Sequence, residues 1–150
     1  MPTTSLHTPI GDITVCEDEG QIVAVEWGWG SEQEETPLLR EAREQLDAYF
    51  DGKLQNFTLP LAPYGTPRRQ QIWQAMSAIP YGQTKTYGQI ANEIGTAARA
   101  VGQACARNPI PILIPCHRVL SATPSRDFYS FGEGTETKTM LLRLEGALGH

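Results

Sequence analysis

The chain uses little cysteine and places it in no pattern. Cys16, Cys105 and Cys116 make an odd count, and no two of them are spaced as CxxC. That argues against a disulfide framework and against a zinc knuckle. Histidine is equally sparse: His7, His117 and His150 lie far apart in the 150 residues. No metal site and no cofactor are therefore expected. No apolar run approaches the ~20 residues that a membrane helix needs. The opening residues Met1 to His7 lack the basic and apolar regions of a secretory signal. Internal repeats and low-complexity tracts are absent too. A soluble, cytoplasmic protein with no membrane partner is expected.

Positive charge is scarce overall, and the net charge of −5 by itself speaks against a nucleic-acid partner. The distribution speaks the other way. Residues 1–62 carry 12 acidic and 3 basic side chains, a net of −9, whereas residues 63–150 carry 5 acidic and 9 basic, a net of +4. Asymmetry of this kind is one signature of nucleic-acid contact. Ordinary variation in surface charge remains the alternative.

What is present reads as two lobes. Ser5–Thr8, Asp12–Glu17 and Gln21–Trp27 are short β-branched runs separated by the turn signals Pro9-Ile-Gly11 and Asp18-Glu-Gly20. They predict a three-stranded antiparallel meander with Cys16 in its core. Thr36-Pro37 opens a helix as N-cap and first-turn proline, with Leu38, Leu39, Ala42, Leu46 and Tyr49/Phe50 at helical spacing and Gly52 as the stop. Asn56–Leu59 predicts one more short strand. The proline- and glycine-punctuated run Leu59–Gly65 is a linker. The domains are thus a structural lobe of residues 1–62 and a second domain of residues 63–150.

The second domain is mainly helical. Thr66-Pro67 repeats the N-cap signal, and the helix it opens carries Ile72, Trp73 and Met76 on one face. Thr86 caps a short helix closed by Gly95. Thr96 is expected to cap the next one, from Ala97 to about Arg107. Two short helices across a Gly-Thr turn fit a helix-turn-helix. The second of them, Ala97-Ala-Arg-Ala-Val-Gly102 onward, has small side chains apart from Arg99. It offers little to read base edges. Its small surface fits close approach, either to another helix or to a minor groove with Arg99 as a wedge. Asn108-Pro109 ends it, and Ile110–Ile114 predicts an apolar strand leading to Cys116. The polar stretch Ser121–Gly134 contains Tyr129 and Ser130, material suited to a pocket wall. Thr135 is expected to cap a last helix that Glu145-Gly146 ends. The fold class expected is α/β (α+β), a small sheet-plus-helix lobe followed by a helical lobe with a winged-helix-like helix-turn-helix.

The run Pro115-Cys-His-Arg-Val119 sets a thiol beside an imidazole. A free thiol is mostly protonated at neutral pH and must lose its proton to attack carbon. Neighbouring side chains on a strand point to opposite faces, so contact between Cys116 and His117 needs a turn or a bridging water. Glu145 is the candidate carboxylate to orient the imidazole. A buried structural cysteine with a backbone-satisfied histidine, and a cysteine hydrolase, both remain open on these residues alone.

The same stretch resembles the active-site signature of the O6-alkylguanine-DNA alkyltransferases. The resemblance extends through Ile79–Ala91, Ala97–Gly102, the ungapped Asn108–Val119 and Thr137–Gly146, about residues 66–146. It implies direct, stoichiometric transfer of an alkyl group from O6-alkylguanine, with O4-methylthymine as a second substrate, in double-stranded DNA. Cys116 would be the acceptor, His117 would take its proton through a water, and Glu145 would hold His117. Asn108 would brace the turn before the site. Arg99 would fill the gap left by the flipped nucleotide, with Ala97, Ala98, Ala100 and Gly102 against the DNA. Tyr87 would sit near the rotating phosphate and the base. Tyr129 and Ser130 would line the guanine pocket, the carbonyls of Cys116 and Val119 would accept from the guanine amino group, and Pro111 would wall the alkyl group. Phe131 and Glu133 stand where the family has a glycine-dominated loop, which would narrow the pocket. A monomer is expected. The other reading is an alkyltransferase-like protein that binds lesions without transfer, but such relatives replace the cysteine.

Overall fold

A computed structural model describes residues 1–121 and 134–147. The chain divides into two compact units, Met1–Tyr64 and Gly65–His150.

The first unit is built on the expected meander. Strands β1 (Thr3–Thr8), β2 (Gly11–Asp18) and β3 (Gln21–Trp27) pair antiparallel in the order β1-β2-β3. Glu19 and Gly20 turn the second hairpin with φ of 49° and 77°, and Asp18 faces Gln21. Two left-handed residues suit the twist of a two-residue hairpin. The register puts Leu6 opposite Ile13 and Val15 opposite Val25, so one face is apolar. Helix α1 (Pro37–Phe50) packs on β1 and β2, burying Leu39, Ala42, Leu46 and Tyr49. Each buried leucine contributes about 1.5–3 kcal/mol. The other face is polar and is closed by side chains. Ser5 Oγ and Thr14 Oγ1 lie 2.8 Å apart, and the Gly30 amide and Gln33 side chain both donate to Ser5 Oγ. Cys16 is buried in β2, its thiol donating to Glu26 at 3.2 Å, and burial first, then Glu26, raises its pKa to about 12.

One element of this unit differs from expectation. Asn56–Leu59 forms no strand. The Gln45 side chain accepts from the Thr58 backbone N–H at 3.0 Å and donates to the Thr58 hydroxyl at 2.9 Å, which diverts that segment from a ladder. Pairing falls just beyond it, where the Ile22 amide donates to Pro60 and Ala62 donates back to Ile22, both at 2.8 Å.

The second unit contains α2 (Pro67–Ser77), α3 (Tyr87–Ile94), α4 (Ala98–Ala106) and α5 (Thr135–Leu144). Thr66 caps α2 and Thr86 caps α3, the latter in a full capping box with Gln89. Helices α3 and α4 pack together through the Gly95 turn, where Gly95 has φ 76°. The Trp73 indole on α2 donates to Ala104 O on α4 at 2.9 Å, inside the core. A parallel two-residue pair, β4 (Lys85–Thr86) with β5 (Val119–Leu120), ties the entry of α3 to the chain just after Cys116.

Three local expectations are corrected. The N-cap of α4 is Ala97, with no side-chain cap bond, because the amides of Gly95 and Thr96 both return to Ala91 O and the turn runs one residue further than Thr96. Helix α5 starts at Thr135 with Gly134 in the cap position. Ile110–Ile114 is a tight turn rather than a strand: Ile114 N donates back to Ile110 O at 2.9 Å, and Ile112 takes φ 75°. Among the described residues, no helix is long and apolar enough to cross a membrane.

The capping box sits where α3 leaves β4, so its removal is a direct test of this junction. Thr86→Ala should lower the unfolding free energy by about 1 kcal/mol, with Thr86→Ser close to wild type, as read by urea denaturation.

Candidate active site

The site begins at the end of α4. The Asn108 side chain accepts from Ile110 N at 3.0 Å and donates to Ile114 O at 2.9 Å. It thereby closes the turn from both ends. A left-handed β-branched residue such as Ile112 stores about 1–3 kcal/mol of strain. These bonds, and the burial of Ile110, Ile112 and Ile114, hold it in place. The same Asn108 nitrogen lies 3.2 Å from Cys116 Sγ and donates to it.

Cys116–Arg118 form a single 3-10 turn after Pro115. Cys116 and His117 thus sit on a turn rather than on a strand, so the two-sided alternation of a strand does not apply to them. All three side chains are buried. His117 Nε2 lies 2.7 Å from Glu145 Oε2, and Glu145 stands at the C-cap of α5. A carboxylate only accepts, so Nε2 carries the hydrogen and Nδ1 is left with a lone pair. Nδ1 is buried and has no protein hydrogen-bond partner among the described residues.

Burial dominates the titration of both groups. It pushes the Cys116 thiol up to about 11, against smaller lowering effects from the Asn108 amide and the Lys138 charge. It pushes His117 below its ordinary 6.5; Glu145 pulls the other way, while Arg118 and Lys138 add to the lowering. At neutral pH the pair is thus a neutral thiol and a neutral base.

Two residues that the sequence reading passed over complete the site. Arg118 turns inward and grips Glu145 with Nε at 2.8 Å and Nη2 at 3.0 Å, while Nη1 donates to Ile79 O at 2.7 Å. Lys138 is buried on α5, donates to Val119 O at 2.6 Å, and lies 5.8 Å from the centre of the Tyr87 ring. A signal for it was available: Lys138 precedes Glu145 by two helical turns, which puts both on one face. For Arg118 the signal was weaker, because an arginine beside a histidine is usually solvated.

The remaining expected residues fall into distinct places. Tyr87, Pro111 and Val119 are buried around the Cys116 turn. Arg99, Ala97 and Ala98 are exposed on the first turn of α4, and Ala100 is partly exposed. Gly102 is not on that surface. It is buried with Val101, Ala104 and Cys105 on the face that packs inward. Tyr129 and Ser130, with Phe131 and Glu133, lie outside the described residues. No cluster of three or more possible metal ligands occurs among the described residues.

Comparison with known proteins matches both units. The family model described as 6-O-methylguanine DNA methyltransferase, DNA binding domain, matches residues 67–147. Its companion, the ribonuclease-like domain of the same family, matches residues 1–63. The chain is 41% identical to the constitutive methylated-DNA–protein-cysteine methyltransferase of Bacillus subtilis, over 95% of this chain and 93% of the relative. It is 43% identical to the methylated-DNA–protein-cysteine methyltransferase of Methanosarcina acetivorans, over 94% and 96%. Among solved structures it resembles Mycobacterium tuberculosis OGT in complex with DNA, with TM-score 0.84 and 36% identity over 97% of this chain and 92% of that one.

The depressed His117 gives stability a defined pH dependence. Between its folded value and 6.5 the unfolded chain binds a proton that the folded chain refuses, so stability falls as pH drops below 6.5. Urea unfolding across pH 5 to 8 should show a steeper acid loss for wild type than for His117→Gln. Equal slopes would remove the claim that the imidazole is buried neutral.

Proposed function

The chain belongs to the 6-O-methylguanine DNA methyltransferase, or O6-alkylguanine-DNA alkyltransferase, family, and from that premise we propose that it repairs DNA by moving the alkyl group of O6-alkylguanine onto Cys116. The observation that carries the reading is the set of part-buried Asn108 with buried Cys116, His117 and Glu145 in the unit that matches the DNA-binding model. An alkyl group on O6 is hidden in the base stack, so the base leaves the duplex to react. The exposed first turn of α4 lies in the minor groove, and Arg99 takes the place of the extruded nucleotide. Ala97, Ala98 and Ala100 permit the close approach. Such contact reads shape and backbone rather than sequence, as a lesion scanner requires.

The chemistry follows from the protonation states. His117 Nδ1 takes the Cys116 proton through a bridging water. The thiolate attacks the alkyl carbon, the S–C bond forms, and the C–O6 bond breaks with its electron pair going to the guanine. The guanine then regains a proton, with Tyr87 or Ser130 as donor beside O6, and Tyr129 packs on the base. The carbonyls of Cys116 and Val119 receive the guanine amino group. They already accept from Val119 N and Lys138 Nζ respectively, and each keeps a second lone pair. Pro111 bounds the alkyl group. O4-methylthymine presents the same reacting atoms.

The thioether is not a leaving group, so each molecule reacts once. One chain supplies the whole site, and it acts as a monomer. Its reaction needs a free thiol, which fits a reducing, cytoplasmic setting. Lesion binding without transfer is the second reading; the thiol at the centre of the array disfavours it.

Incubation with a duplex containing one O6-methylguanine should add the mass of one methyl group, mapped to Cys116 by peptide analysis. Cys116→Ala should bind the same duplex and gain nothing; an unmodified wild-type protein would overturn the transfer reading. Arg99→Ala should slow transfer from duplex by about 10–100-fold, the scale of a few kcal/mol of unstacking. Its rate on free O6-alkylguanine base should stay near wild type.

A further inference from the structure

Arg118 is the least expected side chain of the site. Its guanidinium is buried, and so are its two neighbours His117 and Glu145. Removing three ionisable groups from water together is unfavourable, and a buried ion pair often contributes no more than well-packed apolar residues would. The geometry gives the pair a different use.

The fork of Arg118 engages both oxygens of Glu145, Nε on Oε1 and Nη2 on Oε2. Oε2 is therefore shared, because His117 Nε2 donates to it as well, at 2.7 Å. The third arm, Nη1, is anchored to Ile79 O, which belongs to the segment just after α2 and not to the site's own turn. The guanidinium also lies 5.8 Å from the centre of the Tyr81 ring, and the Tyr81 hydroxyl donates to Leu144 O at 3.3 Å. Arg118 is thus fixed from several sides, and the carboxylate plane is fixed with it.

We propose that Arg118 is a positioning residue for the proton transfer: it clamps Glu145 in the orientation that directs His117 and withholds part of the carboxylate charge from the imidazole, so that Nδ1 stays bare until Cys116 gives up its proton. This rests on the alkyl-transfer reading above. A lone Glu145 beside His117 makes a simple ion pair and favours imidazolium. An imidazolium has no lone pair left to take the thiol proton. With Arg118 in place, the carboxylate is already paired, and the imidazole keeps its task as base. Among the described residues, the charged groups that act on His117 are Glu145 and Lys138 on α5 and Arg118 on its own turn. Of these, Arg118 and Lys138 oppose a positive imidazole and Glu145 alone supports it.

Two measurements test this. The first is the alkyl-transfer rate against pH for wild type, Arg118→Gln and Arg118→Lys. In Arg118→Gln the acid limb of the profile should move up by about 1–3 pH units. The ratio of the rate at pH 6 to that at pH 8 should then fall about tenfold or more against wild type. Arg118→Lys keeps the charge without the fork and should fall between them. A general loss of rate with an unmoved acid limb would mean a merely structural ion pair and would overturn the proposal. The second measurement needs neither a variant at Arg118 nor any transfer. Nitrogen-15 NMR of the free protein, in a His7→Gln/His150→Gln background, should show a neutral His117 ring protonated at Nε2 and bare at Nδ1 at pH 6. An imidazolium there would overturn the proposal. A correct ring state in a protein that transfers no alkyl group would instead sink the repair reading and leave the Arg118 assignment standing.

Discussion

Glu145 is a single buried carboxylate with two cationic or potentially cationic partners, and the reactivity of the site depends on how they share it. His117 takes one edge of Oε2, and Arg118 takes both oxygens from the side. Low polarity around the group makes every one of these bonds matter, since an unpaired buried charge is far more unfavourable than an exposed one. The same burial that sharpens the hydrogen bonds keeps the Cys116 thiol protonated and the imidazole neutral. Both groups of the resting site are consequently held uncharged. That suits a protein whose only thioether-forming event is irreversible.

The fold serves this carboxylate by bringing distant segments to it. Glu145 comes from the end of α5, His117 and Arg118 from the 3-10 turn, and Ile79 from the segment just after α2. Asn108, at the end of α4, links the helix that carries Arg99 to the thiol itself. One polar side chain thus couples the surface proposed to meet DNA to the atom proposed to react. The first unit contributes a meander and a helix with no such array, and its one buried thiol, Cys16, is paired to Glu26 and held protonated.

Much of this was legible in the sequence because local signals were strong. Thr-Pro pairs at 36–37 and 66–67 mark helix starts by chemistry that needs no tertiary context. The hairpin at Glu19-Gly20 and the Gly95 turn are similarly local. The signature around Cys116 named the thiol, the imidazole, Asn108 and Glu145 together. What escaped was set by long-range geometry. An apolar run from Ile110 to Ile114 has the composition of a strand, and only the Asn108 side chain makes it a turn. Arg118 and Lys138 read as surface cations until the chain folds them inward. Gly102 shares a helix with Arg99 but not its face, a distinction that a small-residue helix leaves blurred in sequence. Asn56–Leu59 has strand composition, yet the Gln45 side chain takes the Thr58 backbone N–H and donates to its hydroxyl.

In the proposed reaction the buried His117 imidazole, held by a shared Glu145, is the base that converts Cys116 from thiol to nucleophile. Single-turnover alkyl transfer from a lesion duplex, followed across pH for wild type and His117→Gln, addresses it most directly. Wild type should hold its rate through neutral pH and lose it only as pH falls through the depressed value of His117, which lies below the ordinary 6.5, because the base is neutral above that value. His117→Gln should be slow at neutral pH and gain rate only as pH climbs toward about 11, where the thiol ionises unaided. A His117→Gln protein with the wild-type rate and profile at neutral pH would contradict the claim.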